Sequence, residues 1–258
     1  MQSDFPRISQ NQLKKWTRLA DVKFRRDDGL FLAEGAKVVE ELLRSDWQVE
    51  AILALSEKNQ YWEKRIALAK DDIPVYQLTR SEWKKLSQDK EPEGIIAIVR
   101  NKKQPSLSGW LKSAGSRLLI GHEISNPQNL GALMRSAHWF GFGGILLGQN
   151  SVDWTNPKVI RASMGSIFHL TVLSDVDLNA ALSEIKQDYI LVGSDVRQGV
   201  SPHPLSQKTA LLLGSESHGL PDDLLEQVSF RWRIPGGSQS DSLSLPQAAA
   251  IMMYEMSK

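Results

Sequence analysis

The segment LLIGHEISNPQNLGALMRSAHWFGFGGILL, residues 118–147, contains the pattern that decides the fold of the second half of the chain. It begins with the apolar run LLIG and ends with the apolar run GGILL, and a stretch with helical periodicity lies between them. Such apolar runs are typical of strands that are covered on both faces, as in a parallel sheet. A strand, a helix and a second strand in this order predict one unit of an α/β fold.

The same alternation of apolar runs and helical patterns continues to the end of the chain, and it includes the run ALLLG at residues 210–214. We therefore predict a largely parallel sheet covered by helices. The predicted strands lie at residues 118–123, 144–147, 170–173, 190–193, 210–213 and 230–234. The predicted helices lie at residues 130–140, 157–167, 178–186, 222–227 and 247–256.

The first hundred residues alternate short β-like runs with longer charged helical patterns, which predicts a smaller α/β domain. Its predicted strands lie at residues 30–33, 49–55, 74–78 and 94–99, and its helices at residues 10–24, 36–44, 58–70 and 80–86. A polar stretch with Pro105, Gly109 and Gly115 follows, and such a composition is typical of a linker without regular structure. We predict a first domain over residues 1–103, a linker over 104–116 and a second domain over 117–258.

Composition limits the class of protein. With 258 residues, of which 41% are hydrophobic and 24% charged, the chain is expected to fold as a globular protein. A formal charge of +1 argues against a globally basic nucleic-acid binder, and the lack of cysteine excludes disulfides and thiol catalysis. No apolar run approaches the roughly 20 residues that span a bilayer, and the N-terminus does not resemble a targeting segment. We expect a cytoplasmic protein without a membrane association.

Loops that follow strands are the first candidates for a ligand site, because ligands in open α/β sheets bind beyond the carboxyl ends of the strands. The first such loop leads into a helix and carries the turn-former Asn129, with Arg135 further along, where an arginine could hold a phosphate. In the second loop, GSESHGLP, Gly214 and Gly219 bracket Glu216. This loop lacks the lysine of a phosphate-binding loop, so it is more similar to a cradle for adenosine or ribose.

The third loop, at the start of IPGGSQSDSLSLPQAAAIMMYE, places Ser242 and Ser244 just before the closing helix. Taken singly, each candidate has a structural alternative: Asn129 as a helix-entry turn, Arg135 as a surface cation, Glu216 as a loop carboxylate, and the two serines as helix caps. The five histidines lack metal-ligand spacing, so we expect no metal site. A dinucleotide-dependent oxidoreductase is disfavoured, because no G-x-G-x-x-G follows the first strand of this half.

Together, the loops resemble a known family. The order NPQNLGALMRSAHWFG, LLLGSESHGL and IPGGSQSDSLSLPQAAAIMMYE is similar to the three motifs of the SpoU (TrmH) ribose methyltransferases of the SPOUT class. The intervening NPKVIRASMGSIFHL, residues 156–170, also resembles that family, and the resemblance covers residues 117–258. The stretch FLAEGAKVVEELL, residues 31–43, is similar to the small substrate-binding domain that often precedes this catalytic domain and that resembles a ribosomal-protein RNA-binding fold.

The resemblance implies a trefoil-knotted α/β domain that forms a homodimer through the C-terminal domain, and we expect helices 130–140 and 247–256 to meet there. It implies S-adenosylmethionine as the cofactor, no metal, and a ribose 2′-hydroxyl of ribosomal or transfer RNA as the methyl acceptor. The residues that it implies for cofactor binding, largely through backbone groups, are Leu213, Gly214, Gly219, Ile234, Leu243 and Ser244.

The resemblance also implies catalytic roles. Arg135 is the residue most closely tied to catalysis, and we interpret it as a clamp on an RNA phosphate, because a guanidinium is rarely deprotonated in proteins. Asn129 is expected to fix the Arg135 loop, Glu216 to orient catalytic or cofactor groups, and Ser242 matches the serine of the third motif.

The sequence departs from the family pattern at two places. The family usually has asparagine where Ser244 stands, and often Gly-Arg where Ser217 and His218 stand. An alternative therefore stays open, in which the chain is a weakly active or inactive RNA-binding protein that retains the methyltransferase fold. If only the asparagine was lost, Ser244→Asn should gain methylation.

A local excess of positive charge lies near the N-terminus, where only Asp21 opposes it. This run is either a solvated helix face or a surface for an RNA phosphate backbone. It consists of Arg7, Lys14, Lys15, Arg18, Lys23, Arg25 and Arg26.

Overall fold

The computed structural model of the chain describes residues 5–66, 73–87, 89, 91–237 and 243–258. Contacts between residues divide the chain into two compact units. The first unit comprises Met1–Lys103 together with Thr155–Phe168, and the second comprises Gln104–Trp154 together with His169–Lys258. Among the described residues, no helix combines the length and the apolar character needed to cross a bilayer.

The described part of the chain alternates helices and strands throughout. Its helices are α1 Gln10–Thr17, α2 Val22–Asp28, α3 Ala36–Leu43, α4 Asn59–Ile66, α5 Arg80–Leu86, α6 Leu107–Ser113, α7 Pro127–Trp139, α8 Pro157–Ala162, α9 Leu178–Ile185, α10 Asp222–Leu225 and α11 Leu245–Ser257. Its strands are β1 Leu30–Glu34, β2 Val49–Leu55, β3 Val75–Leu78, β4 Ile95–Arg100, β5 Arg117–Gly121, β6 Gly144–Gly148, β7 Thr171–Val176, β8 Ile190–Ser194, β9 Thr209–Leu213 and β10 Phe230–Trp232.

The first unit is built on a four-stranded sheet in the order β1-β4-β2-β3. Strand β4 is antiparallel to both of its neighbours, and β2 and β3 are parallel. A core of buried side chains forms where α1 and α5 pack, and it includes Leu13 and Trp16 of α1, Trp83 of α5 and Leu53 of β2. The predicted small α/β domain is confirmed in its strands, all four of which lie within two residues of the predicted bounds.

The predicted single helix over residues 10–24 is wrong. Helix α1 ends at Thr17, a 3-10 turn covers Arg18–Ala20, and α2 begins anew at Val22. The break has a local cause: Asp21 has an extended backbone, and its carboxylate accepts a hydrogen bond from the backbone N–H of Lys23, 2.8 Å away. An aspartate in this position caps a new helix instead of continuing the previous one.

The second unit contains a six-stranded sheet in the order β10-β8-β9-β5-β6-β7, and every neighbouring pair is parallel. All strands therefore end at the same edge, which is where parallel sheets of this kind bind ligands. Strands β6, β9 and β5 are fully or almost fully buried, as their apolar runs predicted. The predicted parallel α/β fold is confirmed.

The structure differs from the predicted linker over residues 104–116. Helix α6 occupies Leu107–Ser113 within it, because the Ser106 hydroxyl accepts a hydrogen bond from the backbone N–H of Gly109 and so caps the helix. The Trp110 side chain, fully buried, anchors the helix to the core, and its indole N–H donates to the Thr171 carbonyl at 3.0 Å. Tertiary burial of one tryptophan thus outweighs a polar, glycine-containing composition.

Another difference concerns the segment 155–168, which the sequence placed in the second domain but which packs with the first unit. The predicted helix over residues 157–167 is also shorter, since α8 ends at Ala162. Met164 and Gly165 follow with φ of 51° and 87°, in the left-handed region that ends a helix. A 3-10 turn then covers Ser166–His169.

Candidate active site

The first two candidate loops start side by side at the carboxyl edge of the parallel sheet. Gly121, the last residue of β5, is in register with Leu213, the last residue of β9. The backbone N–H of His122 donates to the Leu213 carbonyl at 2.9 Å, so the pairing extends one residue into the first loop. The fold therefore brings Leu213 and Gly214 next to the loop that leads into α7.

The start of α7 is fixed by its own capping interactions. The Asn126 side-chain oxygen accepts hydrogen bonds from the backbone N–H groups of Gln128 and Asn129, at 2.9 and 3.3 Å. Pro127 occupies the first helical turn, where its missing N–H costs nothing. Asn126 was not among the predicted site residues, although an asparagine just before a proline and a helical pattern is the signal for such a cap.

Two predicted site residues that lie 87 positions apart in the sequence are in direct contact. The Asn129 side-chain amide donates to the Glu216 carboxylate, with 2.9 Å between Nδ2 and Oε1. This bond joins the first turn of α7 to the loop after β9. Asn129 is therefore not an isolated turn residue, and Glu216 is not an isolated loop carboxylate.

The GSESHG loop is a tight turn. The backbone groups of Ser215 and Gly219 bond to each other in both directions, at 3.2 and 2.9 Å. Gly219 has a φ of +70°, and a Cβ atom at Gly214 would lie only 2.0 Å from the Gly219 carbonyl carbon. Both glycines are therefore required by geometry, at Gly214 for space and at Gly219 for backbone conformation. Glu216 is exposed at the tip of this turn.

The third loop follows β10 and leads into α11. Ile234 is half-buried and Leu243 is 47% exposed, so both offer apolar surface to a ligand. Ser242 lies outside the described residues. Ser244 occupies the N-cap position of α11, yet its side chain makes no capping hydrogen bond. Its interpretation as a helix cap is therefore not supported.

Arg135 is exposed on α7 and does not join the pair formed by Asn129 and Glu216. It follows Asn129 by six residues, and at 3.6 residues per turn its side chain leaves the helix about 120° away from that of Asn129. Within the described part of the chain, the Arg135 guanidinium forms no ion pair and no hydrogen bond. An exposed arginine without a partner among the described residues is available to an anion such as a phosphate.

The loops have the features that an adenosyl group needs. They combine the close-packed backbone at Leu213 and Gly214 with apolar surface at Ile234 and Leu243 and with the Glu216 carboxylate as a hydrogen-bond acceptor. A residue set of this kind fits S-adenosylmethionine. Within the described residues, no group of three or more histidine, aspartate or glutamate side chains is placed to hold a metal ion.

Comparison with known proteins assigns a family. The model of the SpoU rRNA Methylase family matches residues 116–254 and so covers more than half of the chain. The chain belongs to the SpoU rRNA methylase family. A second model, the MRM3-like substrate binding domain, matches residues 10–97, which lie in the first unit.

Relatives of this SpoU family member support the assignment over the whole chain. The 23S rRNA (guanosine(2553)-2′-O)-methyltransferase RlmP of Bacillus subtilis is 30% identical over 249 residues, covering 95% of each chain. A solved RNA 2′-O ribose methyltransferase is 28% identical with a TM-score of 0.75, covering 98% of this chain and 97% of that chain. The SpoU methyltransferase AviRb from Streptomyces viridochromogenes in complex with the cofactor AdoMet is 22% identical with a TM-score of 0.80, covering 96% and 97%, and shows the shared fold.

One residue of this SpoU methylase beside the ligand edge was missed by the sequence analysis. The Asp195 side chain is 2% exposed directly after β8, and it accepts a hydrogen bond from the backbone N–H of Arg197 at 2.8 Å. The Arg231 guanidinium lies 3.9 Å from its second oxygen. Asp195 fixes the loop after β8, next to the loop after β9. An aspartate just after the apolar run ILVG was the signal for it.

Proposed function

We propose that this protein transfers a methyl group from S-adenosylmethionine to a ribose 2′-hydroxyl of ribosomal or transfer RNA. The observation that carries the proposal is the Asn129–Glu216 hydrogen bond, which joins the first two SpoU motifs at the ligand edge of the sheet. RlmP, which its name describes as a 2′-O-methyltransferase of 23S rRNA, shares 30% identity over nearly the whole chain and supports this reaction class.

The proposed cofactor site uses the three loops at the carboxyl edge. Backbone groups near Leu213 and Gly214 would hold the cofactor, and the absent Cβ of Gly214 lets the Gly219 backbone close the turn against this strand end. Ile234 and Leu243 would supply apolar contacts, and Gly219 and Ser244 border the same loops. When bound, S-adenosylmethionine supplies a methyl group activated by the neighbouring sulfonium, so the protein needs to position the acceptor and stabilise moving charge.

The proposed roles of the polar residues follow from where they lie. The Arg135 guanidinium has no partner among the described residues, and its planar fork suits a phosphate of the RNA, which would fix the ribose beside the methyl group. Asn129 and Glu216 hold the first two loops together, so they position the site. By family resemblance, we propose that Ser242 is the catalytic-site serine of the third motif.

We further propose that the protein is a homodimer through the second unit. Three large side chains on α7 and α11 are exposed: Trp139 is 83% exposed, Ile251 40% and Tyr254 50%. The two helices pack on each other within the unit, so these side chains belong to neighbouring elements. Exposed aromatic and aliphatic side chains concentrated on packed helices mark an interaction surface. Covering it with a second copy would place Arg135, on the same helix, near the interface.

We propose that the two units have different functions. Residues 10–97, which match the substrate-binding model, are proposed to bind RNA, and residues 117–258 to carry out methyl transfer. We also propose that the second unit contains a trefoil knot. The proposed location is the cytoplasm, where ribosomal and transfer RNA are found.

The experiment that tests the reaction combines two measurements on the full-length protein. Calorimetry with S-adenosylmethionine detects the cofactor site, and transfer of a tritiated methyl group to total ribosomal and transfer RNA detects turnover. We expect Arg135→Ala to abolish transfer and Arg135→Lys to lose most of it, because lysine lacks the planar fork. Both variants should keep their thermal stability and cofactor binding.

Lys186→Ala is the control, since Lys186 is an exposed cation of the second unit. It should retain transfer. Near-normal methylation by both Arg135 variants would remove Arg135 from the mechanism, and no cofactor binding by the wild type in the presence of RNA would contradict the proposed function.

A further inference from the structure

A groove in the first unit is lined by three cationic side chains. It has a volume of about 330 Å³, and we call it the α1–α5 groove. Leu13 of α1, 2% exposed, lies at its base. The residues that line it are Gln10, Leu13, Lys14, Thr17, Arg18 and Lys85.

The cations of this groove have no carboxylate partners. Lys14, Arg18 and Lys85 are all exposed, and no aspartate or glutamate among the described residues lines the groove. None of the three forms an ion pair with any residue that the structure describes. Their charge is therefore uncompensated locally, although the chain as a whole carries a formal charge of only +1.

The geometry of the groove favours an extended anion. Lys14 of α1 and Arg18, the residue that directly follows α1, are four residues apart, which places them about one helical turn, or roughly 6 Å, apart along the helix axis. Lys85 reaches the groove from α5. The Arg18 guanidinium lies over the Phe24 ring, 3.6 Å from its centroid, which limits the freedom of this long side chain before any ligand arrives. Ordering a side chain in advance lowers the entropic cost of binding.

A larger cavity in the same unit has the opposite character. It measures about 770 Å³, and its lining includes the carboxylates of Glu57 and Glu93, with Lys58 as the one cation among the described residues that line it. Its charge disfavours a polyanion, which makes the smaller groove the better site for one.

The structure also shows that the cations of the N-terminal basic run differ in their accessibility to a ligand. Arg25 is 3% exposed, and its guanidinium donates to the carbonyls of Leu19 and Ala20, both at 2.9 Å. It is therefore part of the scaffold and unavailable to a ligand. Lys85, by contrast, is far away in the sequence and joins Lys14 and Arg18 only in the folded unit.

We propose that the α1–α5 groove binds the phosphodiester backbone of the substrate RNA. The proposal rests on the proposed function for the identity of the polyanion. Lysine and arginine side chains that replace condensed counterions make RNA affinity fall with salt, and each phosphate contact adds about 0.7 to 0.9 to the slope of log K against log salt. Three cations correspond to a slope change of roughly two to three.

The test compares two triple variants of the full-length protein. The groove variant carries Lys14→Gln, Arg18→Gln and Lys85→Gln, and the control carries Lys103→Gln, Lys112→Gln and Lys186→Gln, three other exposed lysines. Both lose three positive charges. Binding of a short fluorescein-labelled RNA hairpin is measured by anisotropy over a salt series, with S-adenosylmethionine binding and thermal unfolding recorded in parallel.

We expect the groove variant to bind the hairpin about tenfold or more weakly at low salt, with a shallower slope by roughly two. The control should stay close to wild type. Equal losses in both variants, or none in the groove variant, would overturn the proposal. So would a groove variant that keeps RNA affinity but loses affinity for phosphatidylserine vesicles. If the wild type does not bind S-adenosylmethionine, this result counts against the proposed reaction. The RNA-binding result can still be interpreted, because it does not depend on the cofactor.

Discussion

At the scale of single residues, the two glycines of the GSESHG loop have different tasks. Gly214 leaves no room for a side chain, because a Cβ atom there would lie 2.0 Å from the Gly219 carbonyl carbon. Gly219 has open space around its Cα but a φ of +70°. An alanine at Gly214 must therefore push the backbone apart, whereas an alanine at Gly219 only strains its own backbone, at a cost of about 1–2 kcal/mol.

We predict that Gly214→Ala abolishes S-adenosylmethionine binding, while Gly219→Ala weakens it only partly. Calorimetry measures the binding, and thermal unfolding shows whether either variant still folds. The two substitutions add the same methyl group to the same loop, so each is the control for the other. Equal affinity in both variants would show that the close approach at Gly214 does not matter for the cofactor.

Two residues that the structure brings into contact could be singled out from the sequence, because they lie in motifs. Asn129 and Glu216 were both singled out, and the structure joins them by a hydrogen bond. The bond itself was not predictable, since it depends on β5 and β9 being neighbours in the sheet. Asp195 was missed for the same reason. Its role depends on its burial and on Arg231 of the neighbouring strand β10, and neither can be read from one sequence.

At the scale of elements, α8 is held to the first unit by an ionic cluster. The Arg161 guanidinium lies 2.9 Å from the Glu34 carboxylate and 3.0 Å from that of Asp89. The Ser87 hydroxyl donates a short hydrogen bond to Glu34. Burial nevertheless raises the pKa of the Glu34 carboxyl above its ordinary value of 4.5, because the desolvation of the charged form outweighs these partners.

The raised pKa gives Glu34 a defined effect on stability. The folded protein keeps a proton that the unfolded chain releases near pH 4.5, so this contribution to stability is present below that pH. It is lost as the pH rises through the folded-state pKa. Replacing Glu34 with its neutral isostere removes this dependence.

We predict that the free energy of unfolding of Glu34→Gln, relative to wild type, rises as the pH increases above about 4.5. Urea unfolding at a series of pH values measures it. Glu226→Gln, at an exposed carboxylate, reports the effect of removing a surface charge alone. A difference for Glu34→Gln that falls with pH would mean that the ion pair with Arg161 outweighs desolvation.

Element types were predicted well and element boundaries less well, for identifiable reasons. The bounds of β2 and α5 agree with the prediction, since clear apolar runs and a Thr79 capping box delimit them. Helix α6 was missed because its polar residues suggest a linker, and only the buried Trp110 reveals it. The separate start of α2 depends on one side chain, that of Asp21, which caps it.

At the scale of the whole molecule, the role of the exposed face of α7 and α11 in the proposed dimer can be tested by substitution. Burying an aromatic side chain at an interface contributes roughly 1.5–3 kcal/mol, and each 1.4 kcal/mol is about tenfold in affinity. Trp139 is the most exposed large hydrophobic residue among those described and is the obvious position to change.

We predict that Trp139→Glu raises the dissociation constant of the dimer by about tenfold or more. Sedimentation equilibrium measures it directly. Val22→Glu, which places the same charge at an exposed apolar residue of the first unit, should leave the dimer intact. If wild type and Trp139→Glu have the same mass at every concentration, this face does not join two copies.

The packing of residues 155–168 in the first unit has a consequence for folding during synthesis on the ribosome. Val159, Ile160 and Phe168 are buried in that unit, yet they are synthesised more than fifty residues after its last strand. The nascent first unit must wait, with part of its core uncovered, until Gln104–Trp154 of the second unit has left the exit tunnel. A cut at one peptide bond, by a protease or by a gene designer, therefore cannot separate the two units with both cores complete.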